Sequence, residues 1–520
     1  MTGFAALVDR WRTTDRVALT TDTAQLGYRS WAVRGERLAR AFTALGLQRP
    51  ARVAVALPNG PDFAVVLYAA AKVGLTLVPI STWAAGGELR RVLDSSAPDL
   101  LITSGFSDAQ RNSVLDLTAA GIGPGPDRVF STTPDLDIAG LDELEALAES
   151  CTPAAFAAAC AAGTGDADLV VLYTSGSTGL PKGVILQQGS VTRNGSAIAE
   201  RMGLGGLDRV YSYFPMFFSG GLCNVLTGAV SVGAEVLTQA RFSTAGAAQL
   251  IARRGATAHN VWHDGLSGVV AEPSFTPGML ARMQRGLVLD APTFDRFGLP
   301  FDEGVNMYGS TETATAFTCH DHLDPVALRR STHGLPLAGN RLRIVDPDTG
   351  APRPDGTEGE ISVAGPNLMR GYTDGSHVAL TDEDGFFHTG DLGHIGGSGH
   401  LHYTGRLKTL LKVKGLTVQP EEVEAVLTAH PGIRTAVVVG IGDGDESLGV
   451  RALIVAERDA AGRPIAGLDS IEAYCRRELS SYKVPRAQFV EENEILLSAS
   501  HKIDRQRARA IPVPAEWTSP

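Results

Sequence analysis

The first part of the chain alternates short apolar runs with amphipathic stretches. In residues 52–80, RVAVALPNGPDFAVVLYAAAKVGLTLVPI, a β-branched run begins at Val53 and a turn follows at residues 58–60. A helix is predicted from about Pro61, and a second apolar strand follows Gly74. This strand–helix–strand order predicts parallel strands joined by a right-handed crossover.

The pattern changes near residue 405. Before it, helical or Gly-rich stretches separate further apolar runs, at Leu169–Tyr173, Val230–Leu237 and Arg341–Val345. After it, the periodicity predicts two helices and two strands, at Glu421–Ala429, Thr435–Gly440, Arg451–Ala456 and Ser470–Ser480. We therefore expect an α/β protein with a large N-terminal domain of parallel or mixed sheets flanked by helices, residues 1–406. A hinge between Gly405 and Leu410 would join it to a small α+β domain, residues 407–520.

Composition narrows the class of protein. The chain has 520 residues, 44% of them hydrophobic and 20% charged, as in globular proteins with more than one domain. A net charge of −11 argues against a general nucleic-acid binder. The five cysteines are dispersed and form no CxxC pair, which favours free thiols in a reducing compartment. The N-terminus carries charges where a signal peptide would need an unbroken apolar region. The most apolar stretch, from Phe63, is too short to span a bilayer and contains Lys72. We expect a soluble, cytoplasmic protein that binds no membrane.

The most distinctive local feature is YTSGSTGLPKGV, residues 173–184. An apolar strand runs directly into a loop rich in hydroxyl groups and glycine, formed by Thr174, Ser175, Gly176, Ser177, Thr178 and Gly179. Closely spaced backbone N–H and side-chain O–H donors suit polyphosphate oxygens, and Lys182 adds a positive charge. A flexible Ser/Gly surface loop has a similar composition, but the preceding strand and the following Pro-Lys-Gly make that interpretation weaker.

Two other phosphate or nucleophile motifs do not fit. A Walker A loop ends in Gly-Lys-Ser/Thr, whereas Lys182 lies between Pro181 and Gly183. A nucleophile elbow needs GxSxG, and the chain contains none. The sequence therefore supports neither a P-loop kinase nor an α/β-hydrolase.

This loop resembles the phosphate-binding signature of the adenylate-forming superfamily, which includes acyl-CoA synthetases, peptide-synthetase adenylation domains and firefly luciferase. The resemblance continues in family order and spacing from the LPNGPDF region near Leu57 to the C-terminal lysine. It implies that the large domain binds ATP and a carboxylic acid, and that the small domain is mobile and carries the catalytic lysine.

The second matching motif is NMYGSTET, residues 306–313. The resemblance implies that Tyr308 stacks on adenine, Asn306 reads its amino group, Thr311 contacts the α-phosphate and Glu312 holds Mg²⁺. A hard divalent cation prefers carboxylate oxygen and bridges phosphates, which agrees with this assignment. The other residues that the resemblance places around the nucleotide are Gly309, Ser310, Asp290 and Ala291, with Thr178 as a second candidate magnesium ligand.

Two further motifs lie at the junction of the domains. In HTGD, Asp391 resembles the aspartate that accepts both ribose hydroxyls. In YTGRLKTLLKVKG, Arg406 resembles the arginine that holds ribose and phosphate, and Lys408 stands at the hinge position. Lys412, Lys414 and Gly415 match the loop that faces the active site during thiolation, where glycine would let a pantetheine arm pass.

The last motif is SASHKIDRQRAR, near the C-terminus. Lys502 occupies the position of the catalytic lysine, whose charge would stabilise the transition state at the α-phosphate. The chain departs from the family here, because His501 replaces the usual glycine before the lysine.

The segments at the family's acid pocket are unusual. In YSYFPMFFSGGL the family's Pro-x-Phe-His becomes Pro-Met-Phe-Phe, so that Phe218 replaces histidine after Phe217, with Gly221 close behind. NVWHDG, containing Trp262 and His263, replaces a stretch that often reads Val-Pro. These residues either line a pocket or simply pack in the core. We expect an apolar acid, bulky or aryl, and the lack of an acidic residue in YSYFPMFFSGGL argues against an amino acid.

The implied reaction is ATP-dependent acid–thiol ligation. A carboxylate attacks the α-phosphorus, pyrophosphate leaves, and a thiol then attacks the acyl-AMP. The co-substrates and cofactor are ATP, CoA and Mg²⁺, and the enzyme would be a monomer or homodimer. One alternative is a stand-alone adenylating enzyme that loads a carrier protein. Another, of a different class, is a degenerate nucleotide-binding protein.

Overall fold

The computed structural model describes residues 3–517 except for 83, 85, 105–113, 115, 119, 134–137, 175–181, 262, 281, 284, 288–303, 376–380, 408–410, 414–415, 419, 442–448, 480–482, 493, 496–504 and 515–516. Contacts divide the chain into two compact units. The large unit comprises Met1–Thr357, Ile361–Thr389 and His394–Tyr403, and the small unit comprises Glu358–Glu360, Gly390–Gly393 and Thr404–Pro520. The chain is therefore a mixed α/β protein with a large N-terminal sheet domain and a smaller C-terminal domain.

The helices of the large unit are α1 (Phe4–Asp9), α2 (Tyr28–Ala44), α3 (Pro61–Lys72), α4 (Gly86–Ser96), α5 (Leu141–Ala146), α6 (Pro153–Cys160), α7 (Gln188–Arg201), α8 (Thr227–Val232), α9 (Thr244–Arg254), α10 (His263–Val270), α11 (Pro277–Leu280) and α12 (Val326–Ser331). Short 3₁₀ turns lie at Pro126–Arg128, Leu147–Ser150 and Thr311–Thr313, and a π-helix spans Gly220–Leu226. In the part of the chain that the structure describes, no helix is both long and apolar enough to cross a bilayer.

The first strands of the large unit are β1 (Val17–Thr20), β2 (Gln25–Gly27), β3 (Arg52–Ala56), β4 (Thr76–Pro79), β5 (Leu100–Thr103), β6 (Val129–Ser131), β7 (Ala139–Gly140), β8 (Asp168–Thr174), β9 (Lys182–Gln187), β10 (Arg209–Tyr211), β11 (Glu235–Leu237), β12 (Ala258–His259), β13 (Gly286–Leu287) and β14 (Gly304–Val305). They are followed by β15 (Met307–Tyr308), β16 (Thr318–Cys319), β17 (Leu335–Pro336), β18 (Arg341–Val345), β19 (Gly359–Ala364), β20 (Gly371–Tyr372), β21 (Phe387–Ile395) and β22 (Leu401–Arg406).

The main sheet has eight strands in the order β20-β9-β8-β4-β3-β5-β6-β7. Strands β8, β4, β3, β5, β6 and β7 run parallel, whereas β9 pairs antiparallel with both β8 and β20. A second sheet has the order β12-β10-β11-β1-β2 and is parallel except for β2. The predicted strand–helix–strand unit is confirmed as β3, α3 and β4.

The amphipathic pattern predicted a helix from about Pro61, and the structure shows why it lies deep inside. Proline at the first position of α3 suits a helix start, because its missing N–H would have no helical partner there. The nine residues Phe63–Ala71 are all buried. A helix that is apolar on every side must be covered on every side. On one of those sides the Trp31 indole of α2 donates a hydrogen bond of 2.8 Å to the Ala64 carbonyl.

The apolar run at residues 230–237 is not a single element. Helix α8 ends at Val232, and Gly233 follows with φ of 73°, a left-handed conformation that closes the helix. Strand β11 then begins at Glu235. Gly233 therefore marks the end of a helix. The helix before it and the strand after it are both apolar, so the boundary between them is not visible in the hydrophobic pattern.

The small unit contains strands β23 (Leu411–Val413), β24 (Leu416–Val418), β25 (Ile433–Gly440), β26 (Val450–Ala456) and β27 (Arg486–Phe489), and helices α13 (Pro420–Thr428), α14 (Leu468–Glu478) and α15 (Arg505–Ala510). The four elements predicted after residue 405 are thus confirmed, with ends shifted by one or two residues. Strand β25 is buried on both faces: Val438 lies in a cluster with α13 and α14, and Val437 lies in one with Ala508 of α15.

Candidate active site

The NMYGSTET motif forms a tight turn between β15 and β16. The Thr313 hydroxyl accepts a hydrogen bond of 2.8 Å from the Ser310 amide, and the Thr313 amide donates to the Ser310 carbonyl. Ala314 and Thr315 follow with φ of 55° and 100°, a conformation that side-chain-bearing residues rarely adopt. A Cβ at Gly309 would lie 2.1 Å from the Thr315 carbonyl oxygen, so only glycine fits there.

A buried asparagine stabilises this turn. Asn194 of α7 is completely buried, and its amide nitrogen donates to the carbonyl oxygens of Thr313, at 3.2 Å, and Ala316. Strained backbone persists where surrounding groups hold it, and such strain is concentrated at functional sites. Sequence analysis missed Asn194, because a lone asparagine in a helix carries no signal of its distant partner.

Glu312, the expected magnesium ligand, is bound by a tyrosine. The Tyr372 hydroxyl donates to Glu312 Oε1 at 2.8 Å, and the Met369 amide donates to the Glu312 carbonyl at 2.7 Å. The Lys182 ammonium lies 5.2 Å from the centroid of the Tyr372 ring. Tyr372 therefore connects the end of the phosphate loop with the carboxylate, and sequence analysis missed it.

The ends of the phosphate loop are held together. Thr174 and Lys182 are partners across the antiparallel pair of β8 and β9. The β8–β9 pairing thus extends to Thr174 and Lys182, the two residues that flank 175–181. Thr174 is the last residue of β8, so this point lies at the carboxyl end of a parallel strand. Ligands of open α/β sheets commonly bind at the ends of such strands.

The residues expected around adenine lie next to the turn. Tyr308 is 7% exposed, and its ring is nearly parallel to that of Tyr403, with 5.8 Å between centroids. Asn306 donates from Nδ2 to the Thr332 carbonyl and accepts from the Met307 amide, both at 2.9 Å. Its amide is therefore oriented by the protein before any ligand binds.

The acid-pocket segment contacts the nucleotide motif. The rings of Phe217, which is buried, and Phe218 pack edge to face with centroids 4.6 Å apart. Ser219 Oγ lies 3.5 Å from Thr311 Oγ1, a contact too long for a strong hydrogen bond. The π-helix begins at the next residue, and a Cβ at Gly221 would lie 2.2 Å from the Pro215 carbonyl oxygen. Single π-helical turns occur frequently at functional sites.

Two of the predicted residues lie together in the small unit. Arg406 Nε is 2.9 Å from Asp391 Oδ1, and Asp391 is 3% exposed. The neighbouring Gly390 amide donates to Glu360 at 2.8 Å. A carboxylate in its ionised form accepts hydrogen bonds from hydroxyl groups, as a ribose would supply.

The helix after the expected catalytic lysine is tied to α13. Arg505 donates to Glu421 at 2.9 Å and to both carboxylate oxygens of Glu424, at 2.9 and 3.0 Å. The Val438 amide also donates to Glu424, at 2.7 Å. Arg505 thus fixes the start of α15 three residues after Lys502.

The remaining expected residues cannot be placed. Outside the described residues lie Ser175, Gly176, Ser177, Thr178, Gly179, Trp262, Asp290, Ala291, Lys408, Lys414, Gly415 and Lys502. His263 begins α10 and Lys412 lies in β23, but their side chains are not described.

Comparison with known proteins identifies the family. The family model of the AMP-binding enzymes matches residues 9–373, and that of the AMP-binding enzyme C-terminal domain matches residues 422–502. The chain therefore belongs to the AMP-binding enzyme family, the adenylate-forming superfamily that the motifs indicate.

Curated relatives of the chain include acid–CoA ligases. The chain is 32% identical over 484 residues to a sulfoacetate–CoA ligase of Cupriavidus necator, covering 90% of this chain and 87% of that protein. It is 29% identical over 476 residues to a feruloyl-CoA synthase of Amycolatopsis, covering 89% of each. ATP-bound MatB from Rhodopseudomonas palustris superposes with a TM-score of 0.83 and 25% identity, covering 98% of both chains. The chain is thus an acyl-CoA synthetase that uses ATP and CoA and proceeds through an acyl-adenylate.

Proposed function

We propose that this chain activates an apolar carboxylic acid, aryl or otherwise bulky, and transfers the acyl group to CoA. The observation that carries the proposal is the contact between Ser219 and Thr311. It places the Phe217–Gly221 segment beside the threonine that would contact the α-phosphate. An acid lying against these phenylalanines would present its carboxylate next to the reacting phosphorus.

The relatives do not identify the acid that this chain activates, because one is named for a sulfonated acid and another for an aromatic one. The residues of the segment favour the aromatic class. Met216 and Phe217 are buried and Phe218 is half-buried, so the wall that faces an acid is apolar. An apolar wall cannot compensate the desolvation of a sulfonate or a second carboxylate.

For the nucleotide, we propose that Tyr308 stacks on adenine, Asn306 reads its amino group and Thr311 contacts the α-phosphate. Asp391 and Arg406 would hold the ribose. The remaining nucleotide contacts would come from Thr174, Ser175, Gly176, Ser177, Thr178, Gly179, Lys182, Asp290, Ala291, Gly309 and Ser310.

Mg²⁺ would be held by Glu312, with Thr178 as a second candidate ligand. The chemistry of the site fits a hard divalent cation. Among the described residues, one hydrogen bond is found to the Glu312 carboxylate, from Tyr372 to Oε1, which leaves Oε2 for the ion. The ion would neutralise phosphate charge as pyrophosphate leaves, while Tyr372 orients the carboxylate.

For the second half-reaction, we propose a rotation of the small domain about Lys408. Lys502 would serve adenylation, and Lys412, Lys414 and Gly415 would face the thiol during thiolation. The contact division supports a boundary near residue 407, because it assigns Thr404–Pro520 to the small unit; it also assigns Glu358–Glu360 and Gly390–Gly393 to that unit. The five cysteines are free, which supports a reducing compartment such as the cytoplasm.

Pyrophosphate release tests the proposal. The enzyme is supplied with ATP, Mg²⁺ and one acid from a panel of short, fatty, aryl and polycyclic carboxylic acids and sulfoacetate, with and without CoA. We expect release with aryl or bulky apolar acids and acceleration by CoA. Preference for sulfoacetate or a short acid would contradict the substrate class. Release that a carrier protein accelerates and CoA does not would favour carrier loading, and ATP binding without any release would favour the degenerate binder.

A further inference from the structure

Histidines are concentrated in one part of the large unit, next to the NMYGSTET motif. The rings of His320 and His400 lie 5.0 Å apart, and those of His394 and His402 lie 4.5 Å apart. Asp324 adds a carboxylate beside the first pair. None of these side chains is among those that the motifs assign to the nucleotide, the acid or the thiol.

Three of these side chains converge. One ligand atom each from His320, Asp324 and His400 can be chosen so that all three lie within 4.8 Å of one another. His320 Nδ1 is 2.8 Å from Asp324 Oδ2, and His400 Nε2 is 4.0 Å from the same oxygen. His320 is fully buried and His400 is 6% exposed, whereas the Asp324 side chain is 27% exposed.

His400 is the residue that a simple ion pair does not explain. Its Nδ1 lies 3.0 Å from the Ser398 hydroxyl, but its Nε2 is buried without a hydrogen-bond partner among the described residues. A buried polar atom without a partner costs about 1–3 kcal/mol. Nε2 is also the ring nitrogen that approaches Asp324, at 4.0 Å from Oδ2, so the unpaired nitrogen faces the cluster.

We propose that His320, Asp324 and His400 form a binding site for a zinc ion, distinct from the magnesium site at Glu312. Two imidazoles and a carboxylate are ligands that zinc accepts, and the partly exposed Asp324 leaves a fourth position for water. Zinc–ligand bonds of about 2.0–2.1 Å place tetrahedral donors roughly 3.3 Å apart. Binding would replace the 2.8 Å hydrogen bond between His320 and Asp324: the proton of Nδ1 would move to Nε2, which would then donate to the Thr332 hydroxyl, and Nδ1 would bind the zinc. His400 Nε2 would move toward the carboxylate by about 0.7 Å.

The site adjoins the nucleotide motif. The His320 amide donates to the Asn306 carbonyl at 3.0 Å, and His320 Nε2 lies 2.7 Å from the Thr332 hydroxyl. The Thr332 carbonyl in turn accepts from the Asn306 side chain. A bound zinc ion would therefore rigidify the segment that orients Asn306.

Zinc binding can be measured without the reaction. Full-length, untagged protein free of ATP and Mg²⁺ is incubated with ZnCl₂, desalted and analysed for metal, and the dissociation constant is obtained by chelator competition. We expect one zinc per chain and a raised Tm. His400→Gln should weaken binding at least about 100-fold, more than loss of a supporting hydrogen bond would. Because the substitution also loses the contact of His400 Nδ1 with Ser398, the quantity compared is the rise in Tm on adding zinc, which His400→Gln should not show.

Controls separate this site from other sources of binding. His430→Gln, which removes a histidine of the small unit that accepts only a local bond from Gly432 among the described residues, should bind zinc normally. Asp324→Asn should also lose zinc, which keeps the test decisive if His400→Gln does not fold. Cobalt(II) should give a tetrahedral spectrum without a thiolate band, because the ligands are not cysteines.

Equal zinc content in wild type and His400→Gln, a thiolate band, or no stoichiometric binding would each overturn the proposal. None of these outcomes bears on pyrophosphate release, so the failure of this proposal and that of the proposed function are distinguishable.

Discussion

At the scale of single residues, Glu312, the proposed magnesium ligand, is oriented by one side-chain contact. The Tyr372 hydroxyl donates to Oε1 and fixes the plane of the carboxylate. A ligand that is already oriented loses less conformational entropy when it binds. Residues of this supporting kind commonly change metal affinity by 10–100-fold when they are replaced.

Tyr372→Phe removes that hydrogen bond and keeps the ring beside Lys182. A hydrogen bond to a charged group contributes about 1.5–3 kcal/mol. We expect kcat/KM for ATP to fall roughly 10- to 100-fold, and the Mg²⁺ concentration at half-maximal pyrophosphate release to rise. Initial rates measured across a magnesium titration test this expectation.

Tyr28→Phe is the matched control. Tyr28 is buried and donates to the Ala234 carbonyl at 2.7 Å, far along the chain from the motif. It should lower the free energy of unfolding by about 1 kcal/mol and leave the magnesium titration unchanged. An unchanged titration in Tyr372→Phe would show that Tyr372 has no part in metal binding.

At the scale of elements, the π-helix Gly220–Leu226 begins directly after Ser219, the residue that lies beside Thr311. Gly221→Ala places a Cβ 2.2 Å from the Pro215 carbonyl, so the backbone before the helix must move. Overpacking of this kind costs about 1–3 kcal/mol. We expect at least a roughly tenfold loss in kcat/KM for the acid, measured by pyrophosphate release.

The adjacent glycine provides the control for that substitution. A Cβ at Gly220 would first meet the Phe214 ring at 3.4 Å, an ordinary contact. Gly220→Ala should therefore retain activity within about threefold, since it removes the same conformational freedom without the clash. Equal losses in both variants would mean that flexibility of the helix matters, and the close approach does not.

A second prediction at this scale concerns the ion pairs that Arg505 of α15 forms with α13. Arg505→Gln leaves Glu424, whose side chain is 14% exposed, without its cation. We expect a loss of about 2 kcal/mol in the unfolding free energy, less than the ~3–5 kcal/mol typical of fully buried pairs. Because α15 follows Lys502, acyl-AMP formation should fall as well. Urea unfolding and single-turnover adenylation measure the two effects.

Lys502→Ala separates the two effects of Arg505. It should abolish acyl-AMP formation without changing stability, and it should leave thioester formation from supplied acyl-AMP largely intact. If Arg505→Gln lost stability but kept full adenylation, the helix would not position the lysine.

The motifs of the sequence predicted the kind of chemistry better than the contacts that support it. Tyr308, Glu312 and Asp391 belong to local patterns, and such patterns are visible in a single sequence. Asn194 contacts Thr313 across more than a hundred residues, and a lone asparagine gives no sign of this. A run of apolar residues in the sequence did indicate strand β25, which is buried on both faces. The apolar run at Val230–Leu237 did not show that Gly233 divides it into a helix and a strand.

At the scale of the whole molecule, the two units have separate hydrophobic cores. Phe63, Trp31 and their neighbours form the core of the large unit, and two clusters on opposite faces of β25 form that of the small one. Units with their own cores can move as rigid bodies when the connection between them permits it. The proposed second half-reaction depends on such a motion about Lys408.

Lys408→Pro tests the motion directly. Proline fixes φ near −65°, so a connection that must change its backbone angles between two states would be held in one of them. We expect adenylation, measured as pyrophosphate release without CoA, to continue, and thioester formation to fall at least about tenfold. Lys408→Ala, which removes the charge but leaves the backbone free, should support both steps. Unchanged overall turnover in Lys408→Pro would place the pivot elsewhere, whereas equal losses in both variants would assign the effect to the charge.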